Sequence, residues 1–143
     1  MSEAKILSGK DAVRSIYDSL KPKILSLNKR CVNPGLCVIL VGDDTASRIY
    51  VRTKTKKLKS MGLVSETIFL SEDIDEDKLI KIIDKLNKDT NFHGILVQLP
   101  LPRHINSHRI ISAINPAKDV DGFHPENVLS LIHISEPTRH RYI

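Results

Sequence analysis

Leu36-Cys37-Val38-Ile39-Leu40-Val41, entered through Asn33-Pro34-Gly35 and left through Gly42-Asp43-Asp44, is a six-residue apolar run bracketed by turn chemistry. A strand with one face in water alternates apolar and polar residues. A run with no polar side chain instead predicts a strand covered on both faces, the mark of a parallel sheet between helices. The flanking segments agree. Residues 47–61 contain no breaker and predict a helix, with Gly62 placed as its C-terminal cap. Residues 63–70, with Val64, Ile68 and Phe69, predict a second strand. Residues 71–77 supply N-cap candidates and acidic first-turn residues, and Leu79, Ile82, Ile83 and Leu86 follow at i, i+3, i+4 and i+7. Gly94-Ile95-Leu96-Val97-Gln98-Leu99 predicts a third buried strand, closed by Pro100 and Pro102, and Ile110, Ile111 and Ile114 a short helix after it. Upstream, residues 11–20 put Val13, Ile16, Tyr17 and Leu20 on one helical face, expected to be core, with an interruption or kink near Pro22. The order βαβαβα predicts an α/β fold: a three-layer α/β/α domain with a mostly parallel sheet.

The chain has 143 residues, 41% of them hydrophobic and 4% aromatic, which fits one soluble domain and excludes a disordered or fibrous chain. Its net charge of +5 and pI near 9.3 are local in origin. Arg48, Arg52, Lys54, Lys56, Lys57 and Lys59 lie in a stretch free of acidic residues from Thr45 to Ser65. Only Tyr50 supplies an aromatic there, so a small acidic ligand fits better than a nucleic acid. Cys31 and Cys37 follow no secretory start, which favours packing cysteines in a reduced, cytoplasmic setting. The longest apolar run falls far short of the roughly 20 residues that cross a bilayer, so no membrane association is expected.

Ligands of open parallel sheets bind beyond the carboxyl ends of the strands, which directs attention to residues 42–50, 98–103 and 119–124. Ser47, Tyr50 and Lys54 share one face of the helix after the first strand. A lysine near a phenol can move protons when its surroundings adjust its pKa, although Tyr-x-x-x-Lys also arises where Tyr packs and Lys snorkels. Gln98 interrupts an apolar strand where a buried amide needs partners, either a lysine or backbone groups at the Pro100 turn. Asp119-Val120-Asp121-Gly122 is a turn whose carboxylates are available to ligand N–H groups. The glycines are never closer than seven residues apart, which excludes G-x-G-x-x-G and Walker loops. His104 and His108 have a metal-like interval but lack the remaining ligands, so no metal is expected.

Taken together, Val41-Gly42-Asp43-Asp44, Ser47-x-x-Tyr50-Val51-x-x-Lys54, Gly94-Ile95-Leu96-Val97-Gln98-Leu99-Pro100-Leu101-Pro102 and Lys118-Asp119-Val120-Asp121-Gly122-Phe123 resemble the bifunctional methylenetetrahydrofolate dehydrogenase/cyclohydrolase family. The resemblance runs from about Ile6 to Asn127, and the opening Leu7-Ser8-Gly9-Lys10 shares it. It implies oxidation of 5,10-methylenetetrahydrofolate with NADP and hydrolysis of the methenyl product to 10-formyltetrahydrofolate. It also implies a place in one-carbon supply to purine, methionine and histidine biosynthesis, and a homodimer. Lys54 would be the catalytic lysine and Gln98 its hydrogen-bonding partner. Ser47, Tyr50, Val51, Val97, Leu99, Pro100 and Asp121 would bind substrate, with Tyr50 against the folate rings and Asp121 on the pterin. The basic helix would attract the substrate's glutamate carboxylates.

Family members are about twice as long, and their NADP site lies in a second, Rossmann domain, so no cofactor-binding residue is expected in this sequence. The expected organisation is a folate-binding catalytic domain over residues 1–125, the start of an interdomain connection over 126–128, and a non-native tail over 129–143 with no fold of its own. That tail begins Leu129-Ser-Leu-Ile-His-Ile-Ser-Glu-Pro-Thr-Arg139, which matches the in-frame translation of a sequencing-library adapter. Without the second domain the expectation is no dehydrogenase activity and at best weak cyclohydrolase activity. Competing readings are a short-chain dehydrogenase, which the missing glycine fingerprint opposes, and a folate-binding or basic anion-binding module without turnover.

Overall fold

The computed structural model describes residues 9–135, with side chains as far as Ser130. The motif residues Leu7 and Ser8, and residues 136–143 of the tail, lie outside the described residues. Helix α1 spans Gly9–Lys29, strand β1 Gly35–Val41, helix α2 Thr45–Ser60, strand β2 Val64–Leu70 and helix α3 Glu76–Lys88. Strand β3 (Gly94–Val97), helix α4 (Ser107–Ala113), a single 3₁₀ turn (Pro116–Lys118) and helix α5 (Pro125–Ser135) follow. The three strands are parallel in the order β2-β1-β3.

The apolar run of β1 is apolar throughout because its two faces serve two cores. Cys37, Ile39 and Val41 join Ile95 and Val97 of β3 against Leu79, Ile83 and Leu86 of α3 and Ile110 of α4. Val38 and Leu40 join Leu96 beneath Val51 of α2. Alternation along β1 and β3 thus sends their odd-numbered side chains toward α3 and α4 and their even-numbered ones toward α2, giving the expected three layers. The edge strand β2 is covered less: Val64, Glu66 and Phe69 are exposed. Cys37 is fully buried, and desolvation, reinforced by the nearby charges of Glu66 and Asp89, pushes its thiol up to about 11. Cys31, expected to pack, is exposed at a positive φ of 59° in the turn after α1.

The interruption of α1 expected as one alternative near Pro22 does not occur. The helix continues through Pro22, where one intrahelical bond to the Asp18 carbonyl is lost on an exposed turn that water can satisfy. Its apolar stripe is not core either: Val13, Ile16 and Leu20 are exposed, and Ile24 is its one buried residue. From Tyr17 onward α1 borders α2 and the start of β1 through Tyr17, Ile24 and Leu27, leaving a cleft of about 580 Å³. The boundaries expected after residues 125 and 128 coincide with no break, because the backbone of α5 is helical across both.

The segment after α3 is fixed by side chains that satisfy helix ends. Lys118 donates to the carbonyls of Leu86 (2.9 Å) and Asp89 (2.7 Å), and Asn87 donates to that of Ala113 (2.8 Å). Asp119 bridges to Ile95 beside β3, and its carboxylate accepts from His124 N–H (2.8 Å), Gly122 N–H (3.2 Å) and Asn127 Nδ2 (2.9 Å). This places the 119–124 loop next to β3.

Candidate active site

With order β2-β1-β3, the chain leaves β1 toward one side and returns to the other, so the crevice beyond the ends of β1 and β3 is the topological switch point. There a cleft of about 370 Å³ is lined by Gly42, Asp43, Asp44 and Glu72 on one side and Pro100, Leu101 and Pro102 on the other. Gly42 turns at φ 83°, and Asp44 caps α2 by accepting from the Ser47 amide at 2.7 Å. Hydrogen bonds from the Ser47 hydroxyl, then from its amide, hold the Asp44 carboxyl below its ordinary range. Ser47 is buried and serves this cap.

Gln98 follows β3 directly and keeps its register, its N–H donating to Ile39 O at 2.9 Å. As an even-numbered position it faces α2, and Lys54 Nζ donates to its Oε1 at 3.3 Å. The Gln98 amide nitrogen donates onward to the Leu99 carbonyl at 2.9 Å, which fixes which end of the amide faces the amine. Strand β3 ends at Val97, two residues before the expected boundary, and Leu99–Pro100 is a cis peptide. Both alternatives for Gln98 are therefore realised at once, a lysine and a backbone group.

Tyr50 lies one turn before Lys54 on the same flank of α2 and is 64% exposed. Val51 and Val97 are buried, one under α2 and the other in the opposite core, so their side chains pack the two cores. Leu99 is half-buried and Pro100 exposed at the turn. Asp121 is exposed in the loop that Asp119 anchors and has no side-chain hydrogen bond among the described residues. The structure thus joins Lys54 to Gln98 directly and leaves Tyr50 and Asp121 open to solvent. Glu72, from the far side of the cleft, was not singled out by sequence; only its position just past the end of β2 marks it.

The basic run of α2 divides. Arg48, Arg52, Lys56 and Lys59 line a groove with Thr67 and Phe69 of β2, whereas Lys57 sits over the Tyr17 ring at 3.9 Å. A helix turns about 100° per residue, so this cationic groove and the Lys54 flank face different directions. Lys56 and Lys59 therefore stand on a different flank of α2 from Lys54. Among the described residues no three His, Cys, Asp or Glu side chains cluster as a metal would need.

Sheet order, switch-point cleft and amine–amide pair describe an open parallel α/β domain with its candidate site beyond the carboxyl ends of its strands. Residues 7–121 match the model of the tetrahydrofolate dehydrogenase/cyclohydrolase catalytic domain, and the chain belongs to that family. It is 49% identical over 130 residues to the bifunctional protein FolD of Acetivibrio thermocellus, covering 91% of this chain and 46% of that protein. Its fold is similar to the crystal structure of bifunctional FolD methylenetetrahydrofolate dehydrogenase/cyclohydrolase from Campylobacter jejuni (TM-score 0.84, 45% identity, 86% of this chain and 44% of that one). It is also similar to the N5,N10-methylenetetrahydrofolate dehydrogenase-cyclohydrolase of Trypanosoma brucei, solved with NADP cofactor and an inhibitor (TM-score 0.84, 33% identity, 96% and 47% covered). The chain spans about half the length of the curated relatives it matches.

The described residues do not fit a dinucleotide. A pyrophosphate needs free backbone amides at a glycine-rich turn. The β1–α2 turn instead presents Asp43 and Asp44 with Glu72 across the cleft, and the Ser47 amide is already taken.

Proposed function

We propose that this chain carries the folate site of a methylenetetrahydrofolate dehydrogenase/cyclohydrolase, and that Lys54 is its proton-transfer residue. The observation that carries the reading is the 3.3 Å contact of Lys54 Nζ with Gln98 Oε1 on the α2 side of the sheet. In the hydrolytic reaction, water adds to the amidinium carbon of 5,10-methenyltetrahydrofolate. Lys54 Nζ is the proposed acceptor of the proton that the attacking water releases. The ammonium then returns a proton to N5 as the bond from the former amidinium carbon to N5 opens, and the hydroxyl on that carbon releases its proton to water, leaving the formyl group on N10. Gln98 has no proton to give through Oε1, so its role is to aim the amine and accept from it. The exposed Tyr50 ring offers an apolar face beside the amine for the folate rings, and the free Asp121 carboxylate accepts pterin N–H groups.

NADP supplies the oxidant for the paired dehydrogenase reaction, and no residue described here is assigned to it. The reading also places the protein in the cytoplasm, as a homodimer, supplying one-carbon units for purine, methionine and histidine biosynthesis. The test is loss of the methenyl chromophore of 5,10-methenyltetrahydrofolate in dilute buffer. The expected result is hydrolysis above the uncatalysed rate, lowered about 10²–10⁴-fold by Lys54→Ala, the usual worth of a general acid–base group. Hydrolysis that Lys54→Ala leaves intact removes the lysine from the mechanism. No hydrolysis above background by the parent chain refutes the claim that this folate site turns over by itself.

A further inference from the structure

The groove on the far flank of α2 is not used by the site above. It has a volume of about 650 Å³ and is lined by Arg48, Arg52, Lys56 and Lys59, with Thr67 and Phe69 as its floor. Arg48 pairs with Asp43 (2.6 Å) and lies over the Phe69 ring, 5.7 Å from its centroid. Arg52, Lys56 and Lys59 form no ion pair among the described residues. The groove runs along β2, which pairs only with β1 among the described strands and so leaves its outer backbone groups unpaired over seven residues. The β1–β2 register sets Ser65, Thr67 and Phe69 opposite Leu36, Val38 and Leu40, which places them on the α2 face beneath the cations.

We propose that this edge and the cations above it dock an extended acidic peptide segment, added beside β2 as a further strand with carboxylates at alternate positions. Two spacings favour it. Arg48, Arg52 and Lys56 recur every four residues, about 6 Å along the helix axis, and same-face side chains of a strand recur every 6.6–6.8 Å or so. Successive carboxylates of a strand along β2 therefore stay in step with successive cations, while the free edge supplies main-chain hydrogen bonds. A single phosphate would use one cation and leave both the row and the edge without a role. A second copy paired β2 to β2 across a two-fold axis normal to the sheet would bring two cationic flanks together, and like charges oppose that arrangement.

The probe is a fluorescein-labelled, end-blocked (Glu-Val)4 octapeptide, titrated onto the full chain by anisotropy while amide hydrogen exchange is followed across β2. Binding with new protection in β2 is expected. The Arg52→Glu/Lys56→Glu double variant, checked for an unchanged melting temperature, should weaken binding about tenfold or more. The same peptide N-methylated at alternate residues should bind in at most one of its two registers, because only one edge pairs. Equal binding of both N-methylated forms, or binding without β2 protection, overturns the proposal in favour of unspecific charge attraction. So does inorganic polyphosphate that displaces the peptide and itself leaves β2 unprotected. Sedimentation showing a peptide-independent dimer that shields β2 assigns the edge to a second copy and also overturns it.

Discussion

Replacing Gly35 by alanine tests how tightly the start of the central strand is held. A Cβ at this position would lie 2.2 Å from the Asn91 carbonyl oxygen, 3.3 Å from the Asn91 carbonyl carbon and 3.5 Å from Phe92 Cα, all of them backbone. Carbon and oxygen that are not bonded settle at about 3.3 Å or more, so the two chain segments must separate by roughly 1 Å. Two hydrogen bonds span that gap, Gly35 N–H to His93 Nδ1 (3.2 Å) and His93 N–H to Gly35 O (2.8 Å). Overpacking costs about 1–3 kcal/mol and each lost bond about 0.5–1.5 kcal/mol, for a loss of about 2–6 kcal/mol. That is a large share of the roughly 5–15 kcal/mol that holds an ordinary domain together. Urea unfolding followed by far-UV circular dichroism measures it, with Gly9→Ala as the control. A Cβ at Gly9 meets nothing within 4 Å, so that change should stay within about 1 kcal/mol of the parent. A Gly35→Ala midpoint matching the parent at the same slope would show that the β1 entrance yields freely and that the reasoning is wrong.

Three further outcomes follow from the site and the core. Gln98→Leu keeps the volume but removes the acceptor of the Lys54 amine, so any cyclohydrolase rate of the chain should fall at least about tenfold with the fold intact by circular dichroism; an unchanged rate would leave the amide with no part in aiming Lys54. The Asp44 carboxyl is held below its ordinary pKa in the folded chain, so its stabilisation is fully present above the unfolded value, near 4, and is lost as pH falls through the lower folded one. The melting-temperature gap between the parent and Asp44→Ala should accordingly be constant at neutral pH and close in acid, and a gap that widened in acid would reverse the assignment. Under native conditions near pH 8 a disulfide reagent should modify exposed Cys31 readily and buried Cys37, with its thiol near 11, only on unfolding.

Much of the fold was legible because burial leaves a composition signature. The unbroken run of β1 could only be a strand covered twice, and Leu79, Ile82, Ile83 and Leu86 could only line a helix. Gln98 was legible for the converse reason: one polar residue at the end of an apolar strand needs a partner, and Lys54 provides it. What remained hidden depended on neighbours that a local pattern does not name. Periodicity gave α1 an apolar face but not something to lay it against, and Val13 and Ile16 stand in solvent. Proximity in sequence grouped Lys56, Lys57 and Lys59, while rotation about the helix set Lys57 over Tyr17 and the other two in the β2 groove. The edge position of β2 was equally hidden, since sheet order is decided by which crossovers the chain makes.

The register of the sheet also sets an order of assembly. β1 meets β2 across the span from Gly35 to Val64 but meets β3 across one twice as long, from Leu36 to Gly94. Doubling a loop adds about 0.6 kcal/mol of closure entropy, and during synthesis the β1–α2–β2 unit emerges whole before β3 exists. Lys54 emerges with that unit, and its partner lies 44 residues further along the chain. The amine–amide pair exists only once β3 pairs with β1 and brings Gln98 to Lys54.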